Sequence, residues 1–469
     1  MSHHDKISEA AEALRQTVPA ASRPEERAAA LARLRAYPFR FPRDRRALGG
    51  RFSVEENRSR LLRFFYLERR LAQALGAWTL AIPDFEVKIE TGRHIFYHSD
   101  AARALRERLS EQECIEKQTD DHRDAELDLL IEELLCAEDA PELLVGVHLV
   151  AGRALERAYR HHADLCDPVA DAPTRRVLER LLLDCGPMLD WAEKAVEAYI
   201  AGGVEEHRLM RWRAHLEQVL TAIGGIEGQG ARCLPPDPLR SRARPFRRSE
   251  APRRDDRFAT FIHTGDYNVA DGTPRHAPGS YEAERLGFLR TQRDEVDAIE
   301  AFGTFLWDIR FRDFMAEVHL ARITWDECRH TEIGHRALQA AGYEPFELQN
   351  RLTSSTCRGP MEPEYAMAEI NLFGEVGVLR TINKLVDEAR LRGDSLMAHV
   401  ADYVRADERT HVRKGEYIRR HMSNLGFKEL EFQTRVKFTQ CLRQLGALPA
   451  DKEFDAVLSR EEIEHFIGE

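Results

Sequence analysis

Residues 312–340 read RDFMAEVHLARITWDECRHTEIGHRALQA, and residues 394–421 read DSLMAHVADYVRADERTHVRKGEYIRRH. Both read as long helices carrying one shared pattern: Asp326-Glu327-Cys328-Arg329-His330 in the first, Asp407-Glu408-Arg409-Thr410-His411 in the second. Residues three apart lie on one helical face, so each Glu-x-x-His offers a carboxylate and an imidazole to a common point. A single such motif means little. Four occur here, the others being Glu332/His335 and Glu462/His465, and chance alone gives roughly two in a chain so rich in Glu and His.

The preceding helices give the pair its meaning. Bundles that hold two metal ions take one Glu from each of two helices and a Glu-x-x-His from each of the other two. Glu295 precedes Glu327 by 32 residues, and Glu375 precedes Glu408 by 33. Two antiparallel hairpins need such near-equal intervals to bring six ligands to one level. Glu375 is also flanked by Gly374, Val376 and Gly377, small neighbours that leave room for ions. The candidate set is therefore Glu295, Glu327, His330, Glu375, Glu408 and His411. Glu300 stands as an alternative to Glu295 and Glu369 to Glu375, although both spoil the matched spacing. Four carboxylates and two neutral imidazoles balance two divalent ions and suit iron or manganese better than zinc. Asp326 and Asp407 stand at the same offset in both boxes. They are read as acceptors for the outer N–H of a ligand histidine, a contact that fixes its tautomer. Glu332 and His335 turn away around the helix and are expected at the surface; Glu462/His465 has no partner motif.

Outward from these boxes the helical pattern persists. Segments 281–309, 312–340, 361–391 and 394–421 follow one another, with Gly342 and Gly393 as helix stops. Earlier, residues 55–76 place Leu61, Leu62, Phe64, Phe65, Leu67, Leu71 and Leu75 on a broad stripe, and 99–110, 141–162 and 174–200 behave similarly. Strand patterns are few, so the expected fold class is all-α. Between the two halves, residues 228–258 carry five of the prolines and nine arginines, a composition read as a solvated linker wrapping an edge. The expected organisation is a helical arm (1–50), a helical repeat (51–225), a linker (226–280), a metal-binding bundle (281–425) and a helical tail (426–469).

Composition sets the outer bounds. The 469 residues are 43% hydrophobic and 32% charged, with a net charge of −11, which argues against a general nucleic-acid binder. No apolar run of about 18 residues suggests a membrane span, and the polar N-terminus does not read as a signal peptide. Eight cysteines without a Cys-x-x-Cys pair fit reduced thiols and a cytoplasmic protein.

The boxes DECRH and DERTH resemble the DExRH and DExxH boxes of bacterial multicomponent monooxygenases and of the ribonucleotide reductase small subunit, within the ferritin-like dimetal-carboxylate superfamily. The stretch ITWDECRHTEIGHRALQAAGY (323–343) is most similar to a poorly characterised group of bacterial ferritin-like proteins. The resemblance covers roughly residues 281–421. It implies that Glu327 and Glu408 bridge two irons, that His330 and His411 bind one each, and that Glu295 and Glu375 are terminal ligands. It further implies activation of oxygen or peroxide. Thr410 departs from the pattern, which has Arg before the histidine in its narrower form.

The first half looks like an altered copy of the same bundle. Glu68 precedes Asp100 by 32 residues, but Arg103 stands where the histidine belongs. Asp171 precedes Asp184 as Asp394 precedes Asp407, with Cys185 and Met188 at the ligand positions. Residues 51–225 are thus expected to hold no metal. The leading functional expectation is an O₂-dependent di-iron oxidase or monooxygenase acting on a small molecule, with electrons supplied from outside or by the substrate. Ferroxidase or peroxide-handling activity without an organic substrate is one alternative; a non-enzymatic helical interaction protein is another. Neither membrane nor nucleic-acid partners are expected, and a homodimer is left open. Phe302, Phe305, Trp325 and Phe373 are candidates for a dry pocket lining, with core as the default; Tyr365 and Tyr403 are conceivable radical sites.

Overall fold

Helix α1 (Val54–Trp78) begins at a capping box: Glu56 N–H donates to Ser53 Oγ at 3.2 Å, and Ser53 N–H donates to Glu56 Oε2 at 2.8 Å. Its apolar stripe is buried, with Leu61, Phe64, Phe65, Leu67, Leu71 and Leu75 all fully covered. A short turn leads into α2 (Phe85–Glu111), which folds back against α1. After α3 (Ala125–Leu135), a short helix and a π-helical segment (Val145–Gly152) run into α4 (Arg153–Leu165). Helices α5 (Ala172–Ala201) and α6 (Glu206–Ala222) complete the first half.

The computed structural model describes residues 51–262, 269–270 and 273–448, together with Glu25, Ala28 and Ala32. Two compact units are distinguished, Met1–Arg51 with Leu165–Ala172, and Phe52–Asp164 with Pro173–Glu469. In the smaller, Asp167 Oδ1 accepts from the N–H groups of Val169 and Ala170, both at 2.8 Å. The larger holds both Glu-x-x-His boxes at 327–330 and 408–411.

Its second half starts with α7 (Tyr281–Asp294) and α8 (Val296–Asp308), separated only by Glu295. Next come α9 (Phe314–Ala340), a π-helical segment (Glu369–Gly374) continuing into α10 (Glu375–Arg392), then α11 (Ser395–Met422) and α12 (Phe427–Gln444). The two glycine stops fall where expected, Gly342 at φ 86° and Gly393 at φ 73°, left-handed conformations that glycine adopts without strain. Asp394 then caps α11 by accepting from Met397 N–H at 3.0 Å. Among the described residues the only strands are two-residue pairs, 260–261 with 350–351 and 269–270 with 273–274. The protein is all-α.

Helix α9 is central, packing on α2, α7, α8 and α11. Gly92 makes the α2 contact close: a Cβ there would overlap the sulfur of Cys328. Most of the Arg-rich stretch is exposed, but it is anchored at particular points. Glu133 accepts from the N–H groups of Arg240 (2.7 Å) and Ser241 (2.9 Å), from Ser241 Oγ, and from His215. Arg240 pairs with Glu142 at 2.7 Å and lies 4.0 Å over the Trp212 ring, while Arg254 is buried against Glu300. Arg240 and Arg254 therefore pin an otherwise largely exposed segment to α3, α6 and α8. No helix among the described residues is long and apolar enough to cross a membrane.

Candidate metal centre

Helices α9 and α11 pack against one another, and their Glu-x-x-His faces meet. Each carboxylate of the two boxes spans both imidazoles. Glu327 places Oε2 at 3.4 Å from His330 Nδ1 and Oε1 at 3.2 Å from His411 Nδ1. Glu408 does the same in mirror sense, with Oε1 at 3.5 Å from His330 Nδ1 and Oε2 at 3.0 Å from His411 Nδ1. The two imidazole centroids stand 5.7 Å apart.

The remaining two carboxylates enter at irregular points of the backbone. Glu295 occupies the break between α7 and α8; its Oε2 lies 3.0 Å from His330 Nδ1, and its Oε1 accepts from Gln292 Nε2 at 2.7 Å. Glu375 is the first residue after the π-helical segment, buried beside Glu408. Ligand-type atoms of Glu327, Glu375, Glu408 and His411 all lie within 4.8 Å of one another, as do those of Glu295, His330 and Glu408. The structure thus gathers all six candidates into two overlapping groups that share Glu408.

The outer nitrogens of the histidines are held in a crossed fashion. His330 Nε2 faces Asp407 Oδ2 at 3.2 Å, and His411 Nε2 faces Asp326 Oδ2 at 3.4 Å. Each aspartate therefore serves the histidine of the opposite box. Arg329 spans the pair, donating to Asp326 at 2.6 Å and lying 3.1 Å from Asp407, and Arg322 adds a second contact to Asp326 at 2.8 Å. With Nε2 turned to a carboxylate, it is Nδ1 of each ring that faces the centre.

The buried carboxylates and imidazoles of the cluster shift one another's proton affinities. Burial, with the neighbouring carboxylates, pushes Glu295 and Glu375 well above the usual carboxylate range. Burial also pushes Glu327 up, but its contacts with His330 and His411 outweigh that and hold it at about 2. Burial would lower both histidines; the surrounding acids, led by Glu295 at His330 and Glu408 at His411, instead raise them well above the ordinary imidazole range. Buried Glu295 Oε2, Glu327 Oε1, Glu408 Oε1 and His330 Nδ1 make no hydrogen bond among the described residues, despite their proximity. Atoms of this kind, crowded and unpartnered, suit a divalent ion better than they suit one another.

The alternatives lie elsewhere. Glu300 is buried with Lys88, Arg254 and Ser355. Glu369 pairs with Arg358 at 2.6 Å. His335 is not a free surface group: it is half-buried between Phe85 (5.4 Å) and Phe346 (5.2 Å), because α2 and the 345–347 turn cover that side of α9. Glu332 pairs with Arg336, and Glu462/His465 lie outside the described residues. Phe302 and Phe305 are core, packed on each other at 6.1 Å. Trp325 stacks on Phe96 of α2 at 4.9 Å, and the Phe373 side chain lies outside the described residues. Tyr403 is exposed against His399, and Tyr365 lies under Lys437.

Sequence reasoning missed Asn371. It sits on the π-helical segment one turn before Glu375, buried, with no amide partner among the described residues, and it faces Gly415, one turn past His411. The spacing of four from Glu375 was the available signal. It also missed the polar centre of the first half. There Glu68 accepts from Tyr159 Oη at 2.6 Å and pairs with His98 at 2.5 Å, with His94 and His148 close by. Arg103, at the expected ligand register, instead pairs with Asp100 and Glu107. Comparison of the chain with family models, curated proteins and solved structures gives no match.

Proposed function

We propose that this protein is a ferritin-like dimetal-carboxylate oxidoreductase that holds two iron ions, with manganese as the alternative metal, and activates O₂ to oxidise a small molecule. The observation that carries the reading is the two-box geometry. Glu327 and Glu408 each span both imidazoles, Glu295 and Glu375 flank them, and Asp326 and Asp407 hold the outer nitrogens. Four carboxylates cancel the charge of two divalent ions, and the mixed oxygen–nitrogen donor set matches iron or manganese. A π-helical segment in each half, Val145–Gly152 and Glu369–Gly374, supports the further reading of residues 51–225 as an altered copy of the same bundle.

Two ferrous ions would supply the electrons that activate O₂. The chain's own residues prepare the place. Asp326 and Asp407 keep each imidazole in the tautomer whose Nδ1 binds a cation. Gln292 pins Glu295 Oε1 and leaves Oε2 facing inward. Burial of Glu327, Glu408, His330 and His411 keeps bulk water from the centre. His330, His411, Glu295 and Glu375 would have to release protons to hold the ions, so retention would strengthen as pH rises.

The test is anaerobic loading with Fe(II), elemental analysis, and stopped-flow exposure to O₂ with and without candidate organic substrates. The expected result is about two irons per chain at this centre and a fast optical change on O₂ addition. Rapid O₂ consumption indifferent to every substrate would favour iron handling. Failure to retain iron would remove the reading altogether.

A further inference from the structure

We propose that the first half of the chain holds a separate, imidazole-rich site in which His94 and His98 of α2 and His148 of the π-helical segment bind one divalent transition-metal ion. This inference does not depend on the function proposed above.

His94 and His98 are four residues apart on one helix, so they share a face. The π-helical segment brings His148 against them. Its ring centroid is 4.9 Å from that of His94 and 6.5 Å from that of His98. All three residues are at most 2% exposed. Each keeps one buried ring nitrogen with no hydrogen-bond partner among the described residues: His94 Nδ1, His98 Nε2 and His148 Nε2. Leaving a buried polar atom unpaired is costly, and three in one neighbourhood are a poor way to fill a core.

The surroundings favour ligation over simple burial. His98 Nδ1 pairs with Glu68 Oε2 at 2.5 Å, and Glu68 Oε1 is held by Tyr159 Oη at 2.6 Å. A carboxylate on one ring nitrogen fixes the tautomer and presents the other nitrogen's lone pair, the usual support for a metal-bound histidine. Trp191 packs its ring against His94 at 5.0 Å and His148 at 6.1 Å, closing one side with apolar surface.

Imidazoles bound at about 2.1 Å to one ion have centroids roughly 4.5–6.4 Å apart. The His94–His148 separation of 4.9 Å lies inside that window, and the His98–His148 separation of 6.5 Å lies just outside it. The three nitrogens do not all stand within 4.8 Å of one another, so ligation draws the rings together by side-chain rotation. Three imidazole donors favour Zn²⁺ or Cu²⁺ over Mg²⁺ or Ca²⁺, whereas the carboxylate-rich centre suits iron or manganese.

Zn²⁺ alone is the probe. The full chain, its His330→Ala/His411→Ala variant and its His94→Ala/His148→Ala variant are loaded with Zn²⁺, freed of loose metal and analysed for zinc. The His330/His411 variant should retain about one ion, and that ion should raise its Tm. The His94/His148 variant should hold one ion fewer than the unmodified chain. The milder His148→Gln and His98→Gln serve where the double variant does not fold, and each should weaken retention of that ion at least tenfold. Absence of zinc from the His330/His411 variant, or equal zinc content with and without the first-half histidines, would overturn the proposal. If the carboxylate centre itself binds nothing, the unmodified chain should still hold the single ion that the first-half substitutions remove.

Discussion

At the scale of single residues, the Glu-x-x-His pairs were readable because three-residue spacing in a helix is a local property. The role of Asp326 and Asp407 as histidine partners was also suggested by their repeated offset. What one sequence does not carry is the crossing, because which imidazole an aspartate meets depends on how α9 packs on α11. Asp407 sits in the second box yet holds His330 at 3.2 Å. Asp407→Asn should therefore weaken the ion held through His330, by about 10–100-fold, while Asp326→Asn should weaken the one held through His411. Chelator competition on the iron-loaded variants, each combined with His330→Ala or His411→Ala, measures this. Little added loss is expected when Asp407→Asn joins His330→Ala, and a full further loss when it joins His411→Ala. The reverse pattern would mean that each aspartate serves its own box. Phe302 and Phe305 followed their helical spacing into the core, as apolar residues at that spacing ordinarily do.

At the scale of elements, helix ends were legible at Gly342 and Gly393, where the chain needs a left-handed residue. The interruption at Glu295 was not, because residues 290–300 contain neither Gly nor Pro. Packing imposes it. Arg293 is fully buried, ion-paired to Asp294 and donating to the carbonyls of Pro345, Leu348 and Gln349. The backbone at Gln292–Arg293 also presses on Gly334 of α9, where a Cβ would overlap the Arg293 nitrogen. Gly334→Ala should accordingly cost about 1–3 kcal/mol of stability. It should also lower metal retention, because the strain falls directly beside Glu295. Thermal denaturation with and without metal checks this. An alanine variant with unchanged melting and unchanged metal content would show that α7 can yield without moving Glu295.

At the scale of the larger unit, the all-α class was legible from periodicity, but the use of the arginine-rich stretch was not. Composition suggested solvent exposure, and most of the stretch is exposed; what composition did not show is that Glu133 on α3 anchors Arg240 and Ser241, together with His215. Burial would raise the Glu133 carboxyl, yet these hydrogen bonds outweigh it and hold it at about 2 against an ordinary 4.5. A depressed folded-state pKa contributes stability above the unfolded value and loses it as pH falls through the folded one. Glu133→Gln should thus lower Tm at pH 7, and its difference from the unmodified chain should narrow between about pH 4.5 and pH 2. A difference that stays constant across that range would assign the loss to packing rather than charge.

The joint identity of the two boxes is the claim on which the larger unit's proposed chemistry rests. Iron-dependent stabilisation tests it: Tm with and without Fe(II), in anaerobic solution, for the unmodified chain, His330→Ala, His411→Ala and the double variant. Metal relieves the repulsion among Glu295, Glu327, Glu375 and Glu408, so the iron-loaded chain should melt higher, by an amount that grows with free metal. Each single substitution should remove much of that gain. The double variant should lose little more than the worse single, because His330 and His411 face the same two carboxylates at 3.0–3.5 Å. Additive, independent losses would instead mean two separate single-ion sites, and contradict a shared dimetal centre.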